Sequence, residues 1–186
     1  MFTATQKAAI KADIIANTDL NSIINNEDGA FAIAFLYNLP ASPDFLVWNT
    51  NAAVKDIFDA ITWANYTPTD AADNTATQTN RLLAVQTKQM NLQNMLQGRD
   101  SIDAGKANIR TGLRDAVIAL PSGVGGASVS AGGASGVTVL TACTRKSTRL
   151  EKLLSTGSAQ TGTVTANLPG WEGMTNYQEI FDARNS

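Results

Sequence analysis

The middle of the chain carries its strongest pattern of apolar positions. Residues 79–121 read TNRLLAVQTKQMNLQNMLQGRDSIDAGKANIRTGLRDAVIALP. Positions three, four or seven apart share one face of a helix, and on both sides of Gly98 they are almost all apolar: Leu82, Val85, Gln89, Leu92 and Leu96 before it, and Ile102, Ile109, Leu113, Val117 and Leu120 after it. This spacing predicts two packed helices, or one broken helix, about Gly98, with Pro121 as the stop.

Other segments repeat the helical spacing. Residues 6–16, 52–63 and 137–155 each place apolar side chains on one face. Residues 30–38, AFAIAFLYN, are apolar up to Asn38 and fit a buried helix or strand, and their helical neighbours favour a helix. We therefore expect an all-α fold, a helical bundle of four or five helices. Residues 1–160 form its body and residues 161–186 a C-terminal arm, with a short strand at residues 163–167.

Residues 122–136, SGVGGASVSAGGASG, are the only low-complexity segment. Six glycines between Gly123 and Gly136 oppose a packed helix, because glycine loses more backbone freedom on ordering than any other residue. We expect a flexible Gly-rich loop that becomes ordered on a partner. Neither of the common glycine-rich phosphate-binding motifs is present, which argues against a nucleotide site.

The C-terminal arm is short and carries aromatic and aliphatic side chains with little else. Such a segment is typical of an arm that docks on a neighbouring protein. Its candidate docking residues are Trp171, Tyr177, Ile180 and Phe181.

Charge is scarce and unevenly placed. Charged residues make up 16% of the chain, against about a quarter in typical domains. Residues 1–73 hold nine acids against three lysines, whereas residues 74–160 hold ten bases against four acids. A surface with little net repulsion suits contact between subunits, and an acidic and a basic side would favour head-to-tail assembly. Neutralisation of one segment by the other within the same chain explains the asymmetry equally well.

The composition removes most catalytic chemistry. The chain has no histidine and one cysteine, Cys143. It therefore has no histidine base, no Ser–His or Cys–His nucleophile and no zinc ligand set, and we expect neither an enzyme nor a metal or other cofactor. Two carboxylate pairs, Asp56 with Asp59 and Asp100 with Asp103, fall on expected helix surface. No apolar run is long enough to cross a membrane, so we expect no membrane partner.

Two sets of basic residues at helical spacing are the candidate interaction sites. The first is Lys106, Arg110 and Arg114, and the second is Arg145, Arg149 and Lys152. Each predicts a basic ridge that contacts either the phosphates of passing DNA or a neighbouring subunit. A solvated helix face with no partner is the other interpretation. No aromatic residues interleave them and no helix-turn-helix is evident, so sequence-specific DNA binding is not expected.

The order of these segments resembles structural proteins of tailed bacteriophages. The likeness lies in the stretch NRLLAVQTKQMNLQNMLQGRDSIDAGKANIRTGLRDAVIALPSG, the Gly/Ala/Ser loop, VLTACTRKSTRLEKLLSTG and the TGTVTANLPGWEG tail. Among these proteins the chain is most similar to the head-to-tail connectors, also called adaptor or head-completion proteins. The resemblance is one of whole segments, and no functional residue carries over from it individually.

This resemblance implies a virion protein assembled in the cytoplasm of a bacterial host. It implies self-association into a ring of about twelve subunits between the portal protein and the tail proteins, with double-stranded DNA passing through the ring during genome ejection. Two alternatives stay open. One is another minor head, decoration or tail component of the virion. The other is a cytoplasmic helical scaffold or nucleic-acid accessory protein.

Overall fold

A computed structural model describes residues 1–66, 76–122, 127–128 and 134–186. The α-helices in these residues are α1 (Ala4–Ala16), α2 (Thr18–Asn21), α3 (Glu27–Asn38), α4 (Val54–Ala60), α5 (Ala76–Leu96), α6 (Ala107–Val117), α7 (Ala134–Ala142), α8 (Arg149–Leu153) and α9 (Tyr177–Arg184). The strands are β1 (Leu46–Trp48), β2 (Ala52–Ala53), β3 (Ser101–Ile102), β4 (Pro121–Ser122), β5 (Ala127–Ser128), β6 (Thr144–Lys146), β7 (Ser158–Thr161) and β8 (Val164–Asn167).

The strands make the protein a mixed α/β structure, so the all-α prediction is wrong. Four of them form a sheet in the order β6-β1-β8-β7, in which β1 and β8 run parallel with Val47 opposite Asn167. Antiparallel pairs of two-residue strands join β2 to β3 and β4 to β5. Each strand has only two to four residues, too few for an alternating apolar pattern to stand out in the sequence.

The predicted helix over residues 137–155 is likewise wrong. Helix α7 ends at Ala142, strand β6 follows, and a separate helix, α8, begins at Arg149. Thr148 starts α8 with a capping box: its hydroxyl accepts the backbone N–H of Glu151, whose carboxylate accepts the N–H of Thr148. Thr-x-x-Glu is a helix-start signal in the sequence, and here it outweighs the apolar spacing that runs through it.

Contacts group the described chain into two compact units. The first comprises Met1–Val47, Lys146–Gly157 and Asn167–Ser186, and the second comprises Trp48–Arg145 and Ser158–Ala166. The predicted division into a body of residues 1–160 and an arm of residues 161–186 stays a prediction.

The first unit is built around α3, which packs on α9 and α8. Its buried core consists of Phe2, Ile10, Ile14, Leu20, Ala30, Ile33, Ala34, Tyr37, Leu150, Leu154, Ile180 and Ala183. The Asn38 amide donates to the carbonyl of Thr175 at 2.8 Å, and the amide oxygen of Asn38 accepts the N–H of Thr175 at 2.9 Å. These two bonds fix the segment that enters α9 against the end of α3. The helix predicted over residues 30–38 is confirmed, because α3 covers Glu27–Asn38.

A glycine sets how closely the chain approaches the start of α3. A Cβ on Gly29 would lie 1.9 Å from the carbonyl oxygen of Ile24, which no side chain could avoid. The Asn26 side chain caps the helix by accepting the N–H of Gly29 at 2.8 Å. Glycine is therefore required where the tight turn after Ile24 enters the helix.

The second unit holds the two helices expected about Gly98. Gly98 has a φ of 71°, a left-handed conformation that ends α5 after Leu96. Helix α6 begins at Ala107, later than the apolar spacing indicated, because Ser101–Ile102 pairs as strand β3 with Ala52–Ala53. Lys88 of α5 donates to the carbonyl of Ile118 at 2.6 Å and also to that of Asp115, and so caps the C-terminal end of α6.

Part of the predicted Gly-rich loop lies outside the described residues. Residues 123–126 and 129–133 are in that part, so its flexibility stays a prediction. At its edges, Ser122 pairs with Ala127, and Ala134 begins helix α7.

The core of the second unit can be tested with two leucines that the sequence predicted to be buried. Leu92 and Leu113 are almost completely buried. Leu92→Ala and Leu113→Ala should each lower the free energy of unfolding by about 2–5 kcal/mol, since each leaves a cavity in a packed interior. Leu83 lies on the same helix as Leu92 but is 60% exposed, and Leu83→Ala should cost less than about 0.5 kcal/mol. Equal costs for all three in chemical denaturation would contradict the assignment of this core.

Candidate functional site

Arg110, from the first predicted basic ridge, is buried and not on an exposed ridge. Only 3% of it is exposed. Its guanidinium donates through Nη1 to the carbonyls of Ala104 and Gly105, both at 2.7 Å, and through Nε to the Thr161 hydroxyl at 3.0 Å. The same group lies 4.6 Å from the centre of the buried Trp48 ring. Arg110 therefore fastens a loop, a strand and a core aromatic within the second unit.

Arginine suits this position because its planar group donates in several directions at once and stacks on an aromatic face. Burial lowers the pKa of the Arg110 guanidinium, and the nearby Asp103 carboxylate partly opposes that change. Arg110 satisfies the carbonyls of Ala104 and Gly105, in the loop that precedes α6. Within the described residues, no other side chain donates a hydrogen bond to either carbonyl. Arg110 therefore has a structural role and is not part of an exposed surface.

The two neighbours of Arg110 in the predicted ridge face different surroundings. Lys106 is exposed and pairs with Asp103 at 3.5 Å. Arg114 is half-buried and pairs with Asp115 at 3.2 Å, while its Nε is buried without a hydrogen bond. Lys106 precedes α6 as its N-cap residue, and of these three bases it is the one whose side chain is mostly exposed.

The second predicted set of bases does not share one helix. Arg145 lies on strand β6, whereas Arg149 and Lys152 lie on α8. The ridge predicted from the spacing of all three is therefore interrupted at the break between α7 and α8. Arg149 and Lys152, three residues apart on one helix, keep a common side and meet at a cavity.

This cavity, of about 240 Å³, lies wholly within the first unit and is called the α8 pocket below. It is lined by Asp13, Tyr37, Ser42, Arg149, Lys152 and Leu153. The Tyr37 side chain is almost fully buried and donates its hydroxyl hydrogen bond to the Asp13 carboxylate at 2.7 Å. Burial is the main cause that raises the pKa of the Tyr37 phenol, and the bond to Asp13 raises it further. Tyr37 thus stays protonated and holds Asp13 at the pocket wall.

The cations of the α8 pocket are not matched by its acid. Within the described residues, the Arg149 guanidinium forms no hydrogen bond and no ion pair. The Lys152 ammonium lies 5.7 Å from the centre of the Phe45 ring, a cation–π contact that leaves its charge uncompensated. Two cations beside one carboxylate leave one positive charge in excess. The pocket can accept one small anionic group.

The predicted docking residues of the arm are placed differently from one another. Ile180 is 0% exposed and belongs to the core of the first unit, and Phe181 is partly buried against that core. Trp171 packs on Phe2 with ring centres 5.3 Å apart. Tyr177, at the start of α9, is the member of the set whose ring is exposed. Three of the four residues therefore pack on the chain's own core.

An exposed aromatic pair on α3 was missed by the sequence analysis. Phe31 is 66% exposed and Phe35 is 61% exposed, one helical turn apart, and together they form what is called the α3 face. The residues that α3 buries, including Ile33 and Ala34, lie on another side. Because residues 30–37 of this helix are all apolar, their periodicity could not reveal which side is exposed.

Other candidate chemistry is weak in the described residues. Asp59 pairs with Lys55 and Asp103 with Lys106, so both carboxylate pairs have surface partners. No group of three or more metal-ligating side chains occurs in the part of the chain that the structure describes. In the same part, no helix combines the length and the apolar character needed to cross a membrane.

A groove of about 800 Å³ between α5 and α6 is mostly apolar and includes Leu83, Met95 and Ala116.

Comparison of this chain with protein-family models, with curated proteins and with solved structures finds no match.

The structural role of Arg110 can be tested by substitution. Arg110→Ala should lower the free energy of unfolding by about 3–5 kcal/mol, because it leaves buried carbonyl groups without donors. Arg99→Ala, at an exposed position, should change it by less than about 0.5 kcal/mol. Chemical denaturation of both variants measures the difference. Equal stability of Arg110→Ala and the parent protein would show that the guanidinium is not an anchor.

The buried thiol of the second unit gives a test that depends on pH. Cys143 is fully buried, and burial raises the pKa of its thiol from 9.0 to about 12. Alkylation by iodoacetamide at pH 8 needs the thiolate, so the folded protein should react at least about a thousandfold more slowly than the protein unfolded in guanidinium. Rapid alkylation under native conditions would contradict the burial of Cys143.

The same burial predicts the direction of the alkaline change in stability. Burial also raises the pKa of the Tyr66 phenol from 10.0 to about 12. Between about pH 9 and pH 12 the folded chain keeps protons that the unfolded chain releases, so the free energy of unfolding should fall as the pH rises. Cys143→Ala should make this fall shallower. A rise in the free energy of unfolding over this pH range would contradict the raised pKa values of Cys143 and Tyr66.

Proposed function

We propose that this protein is a self-assembling structural component of a tailed-bacteriophage virion, and specifically a head-to-tail connector. The observation that carries the proposal is the α3 face. Phe31 and Phe35 project from a rigid helix whose opposite side is packed in the core, so their exposure is not the fraying of a terminus. An exposed aromatic pair on a rigid element is typical of a surface that another protein covers.

The energetics favour a partner for the α3 face. Full burial of a phenylalanine side chain contributes about 1.5–3 kcal/mol relative to an exposed one. Two such residues one turn apart can anchor an interface, since a few buried aromatic side chains usually dominate the binding energy. Ile24, immediately before α3, is also largely exposed and would add to the covered area.

The low charge of the chain favours association with copies of itself. Few charged groups need to lose water when such surfaces meet, and little net charge opposes the approach of identical subunits. Assembly into a closed ring between portal and tail is the form that the sequence resemblance implies. A ring requires a repeated contact whose rotation closes on itself.

Contact with passing DNA is a separate part of the proposal. Arg110 cannot take part, because its guanidinium is buried and bonded within the second unit. Lys106, the N-cap residue of α6, carries an exposed charge and is the member of the first basic set best placed for weak contacts with phosphates. Weak, sequence-independent contacts suit a genome that must slide.

The experiment that tests assembly compares the parent protein with variants of α3. Mass photometry and negative-stain electron microscopy of the parent should show rings of about twelve copies. Phe31→Ser/Phe35→Ser should yield folded monomers, because it removes the aromatic anchors. Ala32→Ser changes an exposed neighbour on the same helix and should leave the rings intact. A parent protein that stays monomeric at all concentrations would overturn the proposal.

A further inference from the structure

The α8 pocket and the α3 face of the first unit lie on different sides of helix α3. Tyr37 of α3 lines the α8 pocket, whereas Phe31 and Phe35 form the α3 face. With about 100° of rotation per residue, Tyr37 lies about 140° around the helix axis from the midpoint of the two phenylalanines. One copy of the chain therefore presents the pocket and the aromatic pair in different directions and cannot use one to cover the other.

The two surfaces are complementary in charge. The α8 pocket has one positive charge in excess, as described above. Helix α3 begins at Glu27 and Asp28, one turn before the α3 face; both are exposed and form no ion pair within the described residues. Their position in the first turn of a helix stabilises the helix itself, but it leaves their carboxylates available to a cation from outside.

We propose that the α3 face of one copy docks at the α8 pocket of a second copy, so that a carboxylate of Glu27 or Asp28 lies between Arg149 and Lys152. This inference rests on the proposed function, since it names the contact by which a self-assembling chain associates. Phe31 and Phe35 supply the apolar area of the contact, and the pocket supplies its register.

The charges favour a head-to-tail contact over a symmetric one. If two α3 faces met each other, four carboxylates would come close to one interface and both pockets would keep their excess charge. If the face meets the pocket, each interface pairs acid with base, and each copy still has one free face and one free pocket. Such a heterologous contact repeats from copy to copy and produces rings or filaments.

The test uses two variants that each lose one side of the contact. Arg149→Gln/Lys152→Gln removes the cations of the pocket, and Phe31→Ser/Phe35→Ser removes the anchors of the face. Each variant alone should be monomeric at concentrations at which the parent protein assembles. An equimolar mixture should form a one-to-one dimer and nothing larger, because only one intact face and one intact pocket remain to meet.

Matched controls separate charge from folding. Arg149→Lys/Lys152→Arg keeps both charges and should still assemble, and Glu27→Gln/Asp28→Gln should raise the dissociation constant at least about tenfold. Circular dichroism, with the midpoint of thermal unfolding, reports whether each variant is folded. Lys152→Gln alone provides a second pocket variant, in which Arg149 still lines the pocket together with Asp13. This variant should weaken assembly too.

The outcomes distinguish this inference from the proposed function. A monomeric parent protein would overturn both. A parent that assembles, together with pocket variants that assemble equally well, would overturn the inference alone. A mixture of the two variants that stays monomeric would show that the face and the pocket do not bind each other, and would also overturn it. Binding of a double-stranded DNA oligonucleotide by the face variant but not by the pocket variant would assign the pocket to phosphate instead.

Discussion

The second unit depends on the burial of one guanidinium. Arg110 gathers two loop carbonyls, the Thr161 hydroxyl and the Trp48 ring around a single charged group. Such a charge is costly to bury, and the hydrogen-bond acceptors around the guanidinium offset that cost. The short strands near it contribute few hydrogen bonds of their own. The Arg110 side chain therefore supplies hydrogen bonds that a longer sheet would otherwise provide. Its bonds to Ala104 and Gly105 hold the loop before α6 in place.

The sequence predicted the elements that depend on local spacing. The helices on either side of Gly98 exist, and Leu92 and Leu113 are buried as expected. What failed depends on contacts distant in sequence. Val47 pairs with Asn167, and a strand of three residues gains its stability from partners that no local pattern reveals. Thr148-x-x-Glu151 is a capping-box signal for the start of α8, but the apolar positions around it keep helical spacing and conceal the break before it.

The candidate site was only partly predictable for the same reason. Spacing of three or four residues correctly placed Arg149 and Lys152 together, because both lie on α8. It could not indicate that Asp13 and Tyr37 would complete their pocket, since these residues come from elements more than a hundred positions earlier. Spacing also says which residues share a side of a helix but not whether that side is exposed. Arg110 shows the difference, since the same period that suggested a solvated ridge describes a buried anchor.

Helix α3 explains how a small unit can expose large apolar side chains and stay folded. Its buried side, with Ile33 and Tyr37, makes the contacts that hold α8 and α9, so stability does not require Phe31 or Phe35 to be covered. The exposed pair is then free to serve association, at the cost of an apolar surface that must be kept from non-specific contacts. Glu27 and Asp28 at the head of that surface limit which partners fit, because only a basic surface compensates them. The α8 pocket is such a surface, and every copy of the chain carries one.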